Sequence, residues 1–182
     1  MAIYNTSADA ANTAIRAFLT RVGEYYLGRS FNTGNGKAKG DWNRIKVDVF
    51  DGRCAYCGEE CASPQMEHII MFNRIELGLH HPGNIIPTCK SCNKRYKKPD
   101  NTYVTWEEQL ERICQMKGQQ DKTPARKGKI LVHIKTEGYP NLSREERHAI
   151  RVIAESLYKN VQLESDKSLE LYRQIHEAFV RD

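Results

Sequence analysis

Cys54-Ala55-Tyr56-Cys57 and, thirty-two residues beyond Cys57, Cys89-Lys90-Ser91-Cys92 decide how this chain is read. Two Cys-x-x-Cys knuckles offer four thiolates, the number that a structural zinc takes in tetrahedral geometry. A zinc so held has no open position for water, so it is scaffold and not catalyst. Cys61 competes with Cys57, because an x3 spacing is also permitted; paired x2 knuckles are the more regular choice, which leaves Cys61 free. Cys114 falls on an apolar helical face and reads as core. Between the knuckles lie Glu67-His68 and Gly83-Asn84-Ile85-Ile86-Pro87, and Asn93 follows the last cysteine directly.

Working outward, the run Arg44-Ile45-Lys46-Val47-Asp48-Val49-Phe50-Asp51-Gly52-Arg53 leads into Cys54-Ala55-Tyr56-Cys57-Gly58. A short basic helix, an acidic-Gly turn and Cys-x-Tyr-Cys-Gly are thus followed by Glu67-His68-Ile69-Ile70, a polar loop, Asn84-Ile85-Ile86-Pro87-Thr88-Cys89 and Cys92-Asn93. In this order, over residues 42–98, they resemble the HNH endonuclease family. The resemblance implies an α+β protein: a ββα-metal nuclease core with a four-cysteine zinc site, flanked by N- and C-terminal helices. It implies that His68 is the general base, since a histidine with pKa near ~6.5 is largely neutral above pH 7 and can take a proton from water. It makes Glu67, where the family more often has Asp, and Asn93 the ligands of a catalytic Mg²⁺ or Mn²⁺, a hard ion that prefers oxygen. Asn84 would tie the loop and orient the hairpin without binding metal. Gln65 to Met71 would form the strand carrying His68, Ile85 and Ile86 its partner, and a helix starting near Lys90 would carry Asn93. Lys94, Arg95, Lys97 and Lys98 would then lie beside the scissile phosphate as DNA-backbone contacts. The family often has Lys three residues after this Asn; here Tyr96 stands there. His80 and His81, in the intervening loop, read as surface residues, the alternative being contact with DNA or help to the metal.

Length and charge set the frame. The chain has 182 residues and a net charge of +5, enough for a real core. No apolar run approaches a membrane span, and the N-terminus lacks a signal-peptide pattern. Six cysteines without a secretory signal argue for reduced thiols, metal and a cytoplasmic setting. Besides the cluster after Cys89, Lys122, Arg126, Lys127, Lys129 and Lys135 fall together, and such clusters fit a phosphate backbone.

The remaining chain reads as follows. An amphipathic helix over 8–27, capped by Ser7 and stopped by Gly28, buries Ile15, Phe18, Leu19, Val22 and Tyr26. Gly28 to Gly40 reads as a flexible basic loop, either a plain surface linker or one in which Arg29, Lys37 and Lys39 reach DNA. Asp41 caps a short helix to about Phe50. Thr105-Trp106-Glu107-Glu108 is a capping box opening a helix to Lys117. Residues 118–129 read as a linker and Ile130 to Thr136 as a strand. Ser143-Arg144-Glu145-Glu146 opens a helix to about Asn160, and a last helix spans about Asp166 to Val180. The domain division is 1–41, 42–118 and 119–182, the last serving dimerisation or DNA binding. The resulting expectation is a metal-dependent endonuclease that cuts double-stranded DNA, most simply a homodimeric restriction-type enzyme. A solitary phage, homing or repair nicking nuclease and a non-catalytic zinc-ribbon DNA-binding module are the alternatives.

Overall fold

In the computed structural model the described residues are 6–31, 36–100 and 102–179. Helix α1, Ser7–Leu27, starts one residue earlier than expected: Thr6, not Ser7, is the cap and accepts from the Asp9 amide, and the Asp9 carboxylate accepts from the Thr6 amide. Gly28 stops it in the left-handed region, at φ 70°. Residues 32–35 of the expected loop lie outside the described residues. The chain is helical again from Gly36, so α2, Gly36–Arg44, begins before Asp41 and runs into a π-helical turn, Ile45–Val49. Arg29 does not reach outward; its guanidinium pairs with Asp41 at 2.5 Å and joins α1 to α2.

The hairpin is short. β1, Gln65–His68, pairs antiparallel with β2, Ile85–Thr88, in the register Gln65↔Thr88 to His68↔Ile85. A 3₁₀ turn, Pro82–Asn84, leads into β2. The expected helix carrying Asn93 does not form. The chain turns around the second knuckle instead, with the amides of Cys92 and Asn93 both reaching the Cys89 carbonyl at 3.0 Å. The next helix is α3, Trp106–Met116, opened by the expected capping box of Thr105 and Glu108.

The segment read as linker and strand is helix α4, Thr123–Thr136. Pro124 suits a first helical turn, where its missing N–H costs nothing. The β-branched run that imitates a strand is split by burial. Ile130 and His133, three apart, face inward, while Leu131 and Val132 are exposed. His133 Nε2 lies 3.1 Å from the Pro82 carbonyl and 3.0 Å from that of Ile85, so α4 clamps the turn leading into β2. The last two expected helices are one, α5, Arg144–Phe179. Its 36 residues span about 54 Å. Nothing between Asn160 and Asp166 is Gly or Pro, so no residue there breaks the backbone bonds.

Two cores result. Phe31, Ile45, Phe50, Tyr56, Ile69, Ile85, Ile86, Trp106, Leu110 and Ile130 gather around the knuckles and hairpin. Ile15 and Leu19 of α1 pack with Leu77, Leu79, Leu142, Ile150 and Ala154. Among the described residues no helix is long and apolar enough to cross a membrane.

Candidate active site and metal centre

The sulfurs of Cys54, Cys57, Cys89 and Cys92 all lie within 4.8 Å of one another. Cys57 Sγ and Cys89 Sγ are 3.8 Å apart. Four sulfurs ~2.3 Å from a zinc at tetrahedral angles are separated by about 3.8 Å, so the donor set fits the ion in number, chemistry and spacing. Cys61 is outside the group. Thiols this close cannot all ionise unaided. A hydrogen bond from Cys92 draws the Cys54 thiol down to about 5, and Cys92 is pushed up by the same bond. A divalent cation removes that conflict and displaces the protons. The Ala55 amide donates to the Pro87 carbonyl at 2.8 Å, which welds the first knuckle to β2. From the other side, Arg126 Nη1 reaches the Tyr56 carbonyl at 3.1 Å. Arg126 is thus committed to the fold, and Lys129 of the same basic run pairs with Asp51.

Successive side chains of a strand point to opposite faces. Gln65 and Glu67 therefore share one face of β1, and Met66 and His68 the other. Asn93 joins the first face, its Nδ2 donating to Gln65 Oε1 at 2.9 Å. Glu67 is buried at 8% exposure, and its Oε1 accepts from Arg95 Nε at 2.9 Å and lies 3.5 Å from the Tyr56 hydroxyl. No hydrogen bond from a described residue reaches Oε2. Burial pushes the Glu67 carboxyl up, and the Arg95 guanidinium beside it pulls it back.

Arg95 corrects the expectation of a DNA-backbone contact. At 6% exposure it lies inside the protein, and Nη2 donates to the carbonyls of His68, at 2.8 Å, and Ile69, at 2.7 Å. The reason is local: β1 ends at His68, so the carbonyls there have no strand partner, and a fork of N–H donors satisfies them together with the Glu67 charge. Lys94, Lys97 and Lys98 remain outside, Lys98 in a pair with Glu108 at 3.0 Å.

His68 sits at the exit of β1. Its Nε2 is 3.1 Å from His80 Nδ1, and the Phe72 ring stacks on it at 4.7 Å with 14° between planes. Burial pushes the His68 imidazole down to about 3, helped by His80 and Arg95, so it is neutral. His80 is also lowered by burial, against the opposing charge of Glu24. Neither His80 nor His81 is a surface residue: His80 is half-buried and His81 is buried, accepting from the Gly83 amide. The pairing of His80 with His68 had no signal in the sequence, because it is made by the fold. A methyl group at Gly23 of α1 would collide with the His80 carbonyl, so only glycine lets α1 press this loop toward β1. The loop is closed by Asn84, whose Nδ2 donates to the carbonyls of Ile70 and Leu79 at 2.9 and 2.8 Å, while Oδ1 accepts from the Ile70 amide at 2.8 Å.

A thiolate cage, a hairpin ending in histidine and a loop stitched by asparagine are now in place. Residues 54–98 match the HNH endonuclease family model. The HNH segment is about a quarter of the chain and contains both knuckles, Glu67, His68, Asn84 and Asn93. It supports a nuclease of the HNH type, whose substrate class is DNA. No curated protein and no solved structure matches the chain.

Proposed function

We propose that this protein is a metal-dependent DNA endonuclease in which His68 is the general base. The observation that carries the reading is the placement of His68, against His80 and at the exit of a hairpin held by Asn84 and the knuckles, inside the HNH segment. In the tautomer in which His68 Nε2–H donates to His80 Nδ1, the His68 Nδ1 lone pair is left to take a proton from water. That water attacks phosphorus, the bond to the 3′ oxygen breaks, and the products carry 5′-phosphate and 3′-hydroxyl ends. His80 fixes the tautomer and is a positioning residue. Glu67 through Oε2 and Asn93 through Oδ1 would hold a Mg²⁺ or Mn²⁺ ion, and because His68 is the last residue of β1 and lies on its other face, one phosphate meets both only across the exit of the strand. Such an ion supplies charge neutralisation at the phosphate and the departing oxygen. Zinc in the cage of Cys54, Cys57, Cys89 and Cys92 is structural. Lys94, Lys97 and Lys98 are the backbone contacts retained.

We assign double-stranded DNA as substrate and a homodimeric, restriction-type enzyme as the form that cuts both strands. Support for a dimer comes from the distal half of α5, which exposes Leu169, Tyr172, Ile175 and Phe179 at helical spacing. One observation favours the competing reading of a zinc module that binds DNA without cutting it: the Phe72 ring stacked on His68. Plasmid digestion with purified protein separates them. Nicking or linearisation that needs added Mg²⁺ or Mn²⁺, and that mild EDTA stops while zinc stays bound, supports the nuclease. Cleavage that persists in EDTA removes the ion from Glu67 and Asn93. DNA binding without any cleavage leaves the zinc module.

A further inference from the structure

Between the turn after the second knuckle and the outer face of α3 runs a groove of about 600 Å³. Lys94, Tyr96 and Lys97 form one wall, and Arg112, Met116 and Lys117 the other. No carboxylate lines it. Lys117 is paired with Glu59, but among the described residues Lys94, Lys97 and Arg112 have no ion-pair partner. Between these cations the surface is apolar. Tyr96 is 46% exposed and Met116 75% exposed, and the Arg112 guanidinium lies 4.0 Å from the centre of the Tyr96 ring. Unpaired cations around a stacking platform answer two chemistries at once, phosphate and a flat apolar ring.

A duplex backbone would use the cations and leave the platform idle, because paired bases are stacked on one another. A strand with unpaired bases would use both. Gln109 at the floor is already spent on the chain: its Nε2 donates to the Cys92 and Lys94 carbonyls and its Oε1 accepts from the Tyr96 amide. It holds the wall rigid and has little left to read a base edge, so binding here is tolerant of sequence. The groove also adjoins the candidate site, since Asn93 lies in the chain between two of its lining residues, Cys92 and Lys94.

We propose that this groove takes one or two unpaired nucleotides of the DNA strand, with bases stacked on Tyr96 and Arg112 and phosphates on Lys94 and Lys97. The inference rests on the reading of DNA as substrate but not on catalysis. It makes duplex DNA with locally unpaired bases the tighter ligand of the groove.

The test is equilibrium binding of the full zinc-loaded chain, without added magnesium, to two labelled duplexes. One carries a bulge of three thymidines and the other a bulge of three abasic residues, with the same phosphates. The thymidine bulge should bind about tenfold more tightly, the scale of one stacked base. Tyr96→Ser, at an exposed side chain, should erase that difference, and Met116→Ser on the facing wall should narrow it. Lys94→Gln with Lys97→Gln should weaken both duplexes alike and flatten the salt dependence by about two counterions. Equal affinity for the two bulges overturns the proposal, as does an undiminished preference in a Tyr96→Ser protein with native circular dichroism and zinc content. Absence of binding to either duplex overturns the DNA reading with it. A retained thymidine preference without cleavage of any DNA overturns only the nuclease.

Discussion

Residues 54–98 and α5 are held together by opposite means. The first region has only two four-residue strands, yet nearly every part of it is tied by a directed bond: four thiols around one point, three hydrogen bonds through the Asn84 side chain, four from Arg95. The second is 36 residues of uninterrupted helix in which only Ile150 and Ala154 are fully covered. Directed bonds need particular residue types at particular separations, so they leave a motif. Burial needs only apolar residues on the covered side, and which side is covered depends on another element.

Zinc removal should break this comparison most strongly. Cys54→Ser or Cys92→Ser should lose the metal and with it most of the order of residues 54–98, since a structural zinc contributes on the order of 10 kcal/mol to a small site. Cys61→Ser should keep it. Elemental analysis with thermal unfolding checks both, and loss of zinc in the Cys61 variant alone would assign the cage wrongly.

His68→Ala should lower cleavage by about 10²–10⁴-fold while zinc content and DNA affinity stay unchanged. His80→Phe should keep the ring packing but lose the nitrogen partner, lowering turnover more than affinity; His80→Asn should recover part of it. Nitrogen chemical shifts of His68 report the tautomer directly, and an unchanged tautomer in His80→Phe would leave His80 without a positioning role.

Arg95→Ala should cost about 3–5 kcal/mol, because it strands the buried Glu67 charge and two carbonyls. A surface contact would cost almost nothing, so a denaturant titration decides between the two placements.

A smaller effect comes from pH. Burial, opposed in part by Glu137, pushes the His81 imidazole down to about 4, and burial lowers His133 as well. Their folded values lie below the unfolded value of ~6.5, so the unfolded chain takes up protons first. The His81 contribution is complete above about pH 6.5 and is lost as pH falls toward 4, on the order of 3 kcal/mol, and His133 acts in the same direction. The melting temperature should fall over that window, and His81→Gln should flatten the fall.

Smallest of all, truncation after Val161 should leave the zinc content and the melting of the knuckle core nearly unchanged. The overhanging half of α5 adds little to the fold of one copy. If that half joins two copies, sedimentation should show the truncated chain as a monomer and the full chain as a dimer.

By itself the sequence determined the four thiols, the pairing of a strand at His68 with one at Ile85 and Ile86, the capping boxes at Thr105 and Ser143, and the order of Glu67, His68, Asn84 and Asn93. Each depends on residues close in the chain or on a metal that demands a donor type. Only the tertiary structure decided that Ile130 to Thr136 is helical, where His133 and Ile130 meet the core and Val132 does not. It also decided that Arg95 turns inward to cap the end of β1, and that α1 presses His80 onto His68 at 3.1 Å. The physical reason is one of range. A bond between neighbours is specified by their spacing. The choice between two faces of a helix, or between water and a buried carboxylate for an arginine, is made by whatever distant segment arrives to cover it.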